Sequence, residues 1–271
     1  MTDLGSLPGT PDPKEAATFG HGLNNTGQVT GTFTNIRGLY QAFLYNNGQI
    51  QNLAQTLPTL RDSDGQGIND AGQIVGSFGV GIQSFLYSSG QVSDLGTLGG
   101  SFTFGNSAYA INNAGQVTGY SYTSTIHPHA FLYSNGQIQD LGTLGGNTSY
   151  GYGINDNGQV VGAADTTTDL QHAFLYRNRQ MTDLGTLSGF TFAKANGINN
   201  AGQVVGSAAQ PNAANSPPHA FLYTDDRTMD LGTLPGDDST FGNGINNAGQ
   251  VVGFPVASMV LPMLFSTAPA K

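Results

Sequence analysis

The chain has 271 residues, 40 of them glycine, and only 9% are charged; a helical protein would carry far more Glu, Lys and Ala on its surface, so an all-β chain of short strands and tight turns is expected. Seventeen acidic against eight basic side chains give a formal net charge of −9, which repels phosphate backbones and anionic lipid and excludes nucleic acid as a partner. No apolar run approaches the roughly 18 residues of a membrane span, so no membrane insertion is expected, and the absence of cysteine leaves the redox compartment open.

The chain opens on Asp3-Leu4-Gly5, the end of a strand, without the basic and apolar regions of a signal peptide. Either the protein stays inside the cell or a signal has been removed ahead of Met1. From there the sequence repeats six times with a period of about 45 residues, the mark of one supersecondary unit used over and over. Each repeat begins with I-N-[ND]-x-G-Q-[IV]-x-G, starting at Leu23, Ile68, Ile111, Ile154, Ile198 and Ile245. A third-strand phrase, [HQ]-[AS]-F-L-Y, follows at Phe43, Phe85, Phe131, Phe174 and Phe221, with Met263-Leu264-Phe265 as a worn sixth copy. D-L-G or its relic closes the unit at Asn52, Asp94, Asp140, Asp183 and Asp230.

Within one unit the pattern predicts four strands. Ala108 to Asn112 turns through an Asn-rich hairpin, whose Gly115 can take positive φ, into Gln116 to Gly119. Ala130 to Tyr133 turns through Asn135-Gly136, the preferred two-residue hairpin pair, into a strand ending Asp140-Leu141-Gly142. Phe131, Leu132 and Tyr133 are contiguous and apolar, which predicts a strand covered on both faces by neighbouring sheets. In two units the Asn-Gly pair is replaced, and the reading places Asn178-Arg179 and Asp226-Arg227 in the turns.

The phase of the repeat bears on closure. The final unit has its first three strands, Gly244 to Phe265, but no fourth, whereas the chain begins with a lone fourth strand, Thr2 to Gly5. The expected fold is therefore an all-β, six-bladed β-propeller, one domain over residues 1–271, with residues 2–5 completing the last blade. An open β-solenoid is the competing architecture.

HAFLY at His129 to Tyr133, D-L-G-T-L-G-G at Asp94 to Gly100 and I-N-N-A-G-Q-V-V-G at Ile198 to Gly206 resemble the HAF-type extracellular repeat family of bacteria. The resemblance covers essentially the whole chain. It implies a secreted or surface-exposed bacterial protein and carries no activity to transfer. Gln41 and Gln83 stand where the family writes His, which argues against any role needing His in every repeat.

Repeat spacing points to a functional face. From the Ala or Ser of the third strand to the Asp or Asn of the fourth is always ten residues, whereas the second-to-third and fourth-to-first connections vary. In a four-stranded meander the variable connections share one rim, where binding residues are expected. At the entry to each first strand, two small residues flank a changeable one: His21, Gln66, Tyr109, Tyr152, Asn196 and Asn243. Two positions earlier stand Phe19, Asp64, Ser107, Tyr150, Lys194 and Phe241. If the first strand is innermost, these residues ring a channel mouth.

Ligand binding is accordingly expected at His21, Gln66, Tyr109, Tyr152, Asn196, Asn243, Asp64 and Tyr150, with a carbohydrate or other extracellular polymer as partner and the protein a monomer. The enzymatic alternative is a polysaccharide lyase or glycoside hydrolase with His21, Tyr109, Tyr152 and Lys194 as catalytic candidates; a structural or protein-interaction module is the third reading. His129, His172 and His219 sit at equivalent places before AFL, where an imidazole bonded to a neighbouring blade or turn is expected ahead of a metal ligand. Asp62-Ser63-Asp64-Gly65 echoes the start of a calcium loop without its later ligands, so calcium is the one metal the sequence raises and no cofactor is expected.

Overall fold

The computed structural model describes residues 18–35, 37–56, 60, 62–79, 83–100, 105–210, 217–233, 239–255 and 265–266. These form six antiparallel sheets, each a simple meander in chain order. The first contains Thr18–Leu23, Val29–Thr34, Tyr40–Asn46 and Gln49–Asn52; the second Ser63–Ile68, Ile74–Phe78, Gln83–Ser88 and Gln91–Asp94; the third Asn106–Ile111, Val117–Tyr122, Pro128–Ser134 and Gln137–Asp140. The fourth contains Gly145–Ile154, Val160–Thr166, Gln171–Arg177 and Gln180–Gly185; the fifth Phe192–Ile198, Val204–Ala209, His219–Thr224 and Arg227–Gly232. The sixth has three strands among the described residues, Thr240–Ile245, Val251–Pro255 and Phe265–Ser266. One four-residue helix, Leu53–Thr56, follows the first sheet. The expected closing strand, Thr2 to Gly5, lies outside the described residues, as does Met263-Leu264.

Two compact units divide the chain: residues 1–127 with 131–140, and residues 128–130 with 141–271. In the first unit, Ala42, Leu53 and Leu60 pack onto Ile68, Ile74, Phe85 and Tyr87 of the second sheet. The second sheet then supplies Val75 and Leu95 against Ala108, Ile111, Val117 and Phe131 of the third. In the second unit, Val161, Ala173 and Leu175 of the fourth sheet pack onto Ala195, Ile198, Val204 and Phe221 of the fifth. Adjacent residues such as Phe174 and Leu175 are both buried, as a strand covered on both faces requires.

The repeated Asn explains the first phrase. Oδ1 of Asn69 accepts the backbone N–H groups of Ala71 and Gln73, which shapes the hairpin, while its Nδ2 donates to Oε1 of Gln73 and to the carbonyl of Asn112 in the next sheet. Asn24 reaches Asn69 in the same way, and in the second unit Asn155 reaches Asn199 and Asn199 reaches Asn246. A polar ladder thus ties successive sheets at one rim within each unit. The following residue adds a second rung, with Asn25 N–H donating to Asp70 and Asn200 N–H to Asn247.

The third and fourth strands are clasped by the other two phrases. Nδ1 of His172 donates to the Asp183 carboxylate at 2.9 Å, and Nδ1 of His219 to Asp230 at 2.9 Å. Gln83 donates to Asp94, and Asn52 donates to Gln41, so the repeats that lack His keep the clasp with amide chemistry. These imidazoles bond within their own sheet, not to a neighbouring one. The D-L-G carboxylates also cap their turns, accepting from the N–H groups of Gly96, Gly185 and Gly232.

Candidate functional site

In every repeat the residue between the two small ones is the extra residue of a β-bulge. The first-strand to second-strand register shifts between Gly20 and Gly22, Gly65 and Gly67, Gly151 and Gly153, Ala195 and Gly197, and Gly242 and Gly244, and the third sheet has the same irregularity at Ala108. His21, Gln66, Tyr109, Tyr152, Asn196 and Asn243 are therefore residues that a bulge re-aims out of the ladder. The second-strand glycine follows from this. A Cβ on Gly31, Gly76, Gly119, Gly162 or Gly206 would collide with the carbonyl oxygen of Phe19, Asp64, Ser107, Tyr150 or Lys194.

Small residues also allow the first strands of successive sheets to crowd together. A Cβ on Gly22 would lie 3.0 Å from the carbonyl of Gln66, and one on Gly197 would lie 3.2 Å from the Cα of Gly244. Two bulge residues use that proximity. Nδ1 of His21 lies 3.0 Å from the carbonyl of Gly65, and Nδ2 of Asn196 donates to the carbonyl of Gly242 at 2.7 Å. A carbonyl only accepts, so Nδ1 of His21 carries the hydrogen, and a neutral imidazole there presents Nε2 as an acceptor.

The first unit contains a cavity of about 300 Å³, lined by Phe19, His21, Thr32, Tyr40, Asp62, Ser63, Asp64 and Ser77. Its logic is positional. Phe19 pairs with Thr32 across the first sheet and Asp64 with Ser77 across the second, so equivalent positions of two neighbouring repeats face one space. Tyr40 begins a third strand and Asp62 precedes a first strand, which places both at the ends of the length-variable connections.

Asp64 is fixed. Its Oδ1 accepts from the N–H of Ser77 at 2.7 Å and from the Ser77 hydroxyl at 2.9 Å, and its Oδ2 accepts from Nε2 of Gln66 at 3.1 Å. Ser63 donates to the carbonyl of Leu60 and accepts from the N–H of Ala42, so the middle residue of the calcium-like triplet serves the scaffold. Asp62 has φ 104°, a left-handed value uncommon outside glycine; the equivalent place in the third repeat is Gly105, φ 83°. Phe19 and Tyr40 are each 55% exposed. Thr32 is 4% exposed, and its hydroxyl oxygen is buried with no hydrogen-bond partner among the described residues.

Beside this cavity stands an aromatic group. Tyr109 and Tyr120 have ring centroids 5.8 Å apart, and Tyr120 meets Tyr122 edge-on at 6.3 Å. Burial first, and then the charges of Tyr122 and Asp64, push the Tyr120 phenol above its ordinary range, so it stays neutral and is no base at physiological pH. Of the remaining expected site residues, Tyr150 and Tyr152 stack on each other at 6.3 Å with rings 6° from parallel. Lys194, Asn196 and Asn243 belong to the fifth and sixth sheets, in the second unit. Among the described residues no group of three or more His, Cys, Asp or Glu side chains is placed to hold a metal ion.

Tyr40 and Thr32 were not legible as site residues from any one repeat. Aligning the repeats gives a signal for the first: Tyr40 stands where the others have Ile82, Pro128, Gln171 and Pro218.

No protein-family model matches the sequence, and no curated protein matches it. Solved structures do match in shape. A gluconolactonase from Xanthomonas campestris aligns over 93% of this chain and 87% of its own, with a TM-score of 0.51 and 12% identity. The β-propeller domain of the Trilobed protease from Pyrococcus furiosus aligns over 92% and 95%, with a TM-score of 0.50 and 10% identity. TolB from Acinetobacter baumannii aligns over 94% and 66%, again at 0.50 and 10%. Likeness at such identities concerns the fold: this is an all-β chain of repeated antiparallel sheets of the β-propeller kind. No helix among the described residues is long and apolar enough to cross a membrane.

Proposed function

We propose that this chain is an extracellular, HAF-type β-propeller that binds carbohydrate in the cavity between its first two sheets. One observation carries the reading: Phe19 and Tyr40, each more than half exposed, line a cavity in which Asp64 and His21 are held by hydrogen bonds. Aromatic faces stack on the apolar faces of sugar rings, and a few convergent polar groups then read the hydroxyls. Asp64 held by Ser77 and Gln66, and His21 held by Gly65, supply those groups without reorganisation.

The proposal includes closure of the six sheets as blades. Thr30 lies against Gly65 of the following sheet and Val205 against Gly242 of the following one. Their counterpart on the sixth sheet, Val252, is 42% exposed, and the counterpart of those glycines on the first sheet is Gly20, also exposed. Leu23 is 71% exposed where Ile68 and Ile111 are buried. Sheets one and six thus each expose, among the described residues, half of the contact that joins successive sheets within each unit.

Affinity electrophoresis on a panel of immobilised polysaccharides tests the binding site. The Phe19→Ala, Tyr40→Ala double variant is expected to lose retention on the retaining polymer while unfolding at the same temperature as the parent. Both side chains are largely exposed, so the fold does not depend on them. Retention unchanged in the double variant would place the sugar elsewhere, and a parent protein retained by no polysaccharide would end the carbohydrate reading.

A further inference from the structure

Resting on the carbohydrate reading, the geometry points to a narrower ligand class: a sugar bearing a free, protonated amine, as in glucosamine oligomers, and not a uronate or an N-acetylated sugar. Among the described residues, every ionic group on the cavity wall other than His21 is a carboxylate. Asp62 and Asp64 line it, and no Lys or Arg among the described residues does. Asp64 already accepts three hydrogen bonds from Ser77 and Gln66, and a carboxylate has about four lone-pair sites. The Asp62 carboxylate accepts no hydrogen bond from the described residues, although its backbone is held at φ 104° with its carbonyl bonded to the N–H of Gly79.

The rings complete the preference. Phe19 and Tyr40 line the same cavity as the two carboxylates, and a cation over an aromatic face is attracted by the ring quadrupole while its charge meets the carboxylate. A uronate would bring a third negative charge into this wall and would meet the field of a chain with net charge −9. An N-acetyl group removes the cation and gains no charged partner.

The proposed pose therefore lays a sugar ring against Phe19 and Tyr40, with the ammonium toward Asp62 and Asp64.

Isothermal titration with a glucosamine tetramer, its N-acetylated form, a neutral glucose tetramer and a galacturonate tetramer decides the matter. The free-amine tetramer is expected to bind at least about tenfold tighter than the other three. Asp62→Asn should erase most of that advantage, weakening the free-amine tetramer by far more than the neutral one. Asparagine keeps the shape of aspartate and tolerates positive φ, and the unfolding temperature checks that the variant folds. Neutral and amine tetramers bound equally well, both weakened by Phe19→Ala with Tyr40→Ala, would overturn the amine preference and leave the sugar site standing. Absence of binding by all four would overturn both.

Discussion

At the scale of the residue, one position does different work in different repeats. The second residue of the hairpin is Asn25, Asp70, Asn113, Asp156, Asn200 and Asn247, and it forms the exposed rung that joins sheets. Asp70 accepts from both the side-chain amide and the N–H of Asn25, and the side-chain bond, followed by the backbone one, holds its carboxyl below the ordinary carboxylate range. A carboxyl whose folded pKa is depressed contributes stability above its unfolded pKa of about 3.9, and loses it as pH falls through the folded value. Asp70→Asn, the amide found at this place in other repeats, should therefore flatten the acid limb of stability. Melting temperatures of both proteins between about pH 6 and about pH 2.5, spanning that range, should show the parent's advantage shrinking as pH falls. A gap that does not change with pH would mean that this rung, being at the surface and well hydrated, contributes nothing through its charge.

At the scale of the element, the hairpins separate what pattern can and cannot read. Asn47-Gly48, Ser89-Gly90 and Asn135-Gly136 all take positive φ at both turn residues, as the Asn-Gly signal requires. In the fourth sheet Asn178 and Arg179 do the same, with φ 53° and 64°. In the fifth sheet the turn is Asp225-Asp226, with φ 52° and 57°, and Arg227 begins the next strand opposite Thr224. The expected Asp226-Arg227 turn was one residue late, because without glycine the local signal gives no register; the pairing of Phe221 with Asp230 sets it instead. Arg179 bears a left-handed cost of roughly 1 kcal/mol that glycine would not. Arg179→Gly should thus raise the melting temperature by about 2 °C, and Arg227→Gly, within a strand, should lower it; a clear loss in the first variant would refute the turn. The bulges were less legible than the turns. Gly20-His21-Gly22 and its counterparts were readable as small residues around a variable one, but an inserted ladder residue leaves no mark on alternation. The cavity was half legible for the same reason. His21, Asp64 and Phe19 recur at repeat-equivalent places, whereas Tyr40 and Thr32 join them only through the pairing of strands and the packing of one sheet on the next.

At the scale of the molecule, the proposed closure is tested where sheets one and six would meet. Within the units, the rung from Asn25 to Asp70 and the rung from Asn200 to Asn247 have the same form: an N–H of one sheet donates to the side-chain oxygen at the equivalent position of the next. Continuing that operation from the sixth sheet, closure would set the N–H of Asn247 against the side chain of Asn25. The chain has no cysteine, so a pair introduced as Asn25→Cys and Asn247→Cys would hold its only thiols. Both positions are exposed, so neither substitution empties the core. In a closed six-bladed ring, a short bismaleimide should join them within one chain, giving a faster-migrating monomer on a denaturing gel. That yield should not depend on protein concentration, because an intramolecular contact has a fixed effective concentration. Closure should also be worth stability, since it covers Leu23 and Val252, and burying an aliphatic side chain of that size contributes about 1.5–3 kcal/mol. The joined chain should accordingly melt at a higher temperature than the unjoined double variant. A product that forms only between chains, and rises with concentration, would instead make sheets one and six the two halves of a head-to-tail contact between copies.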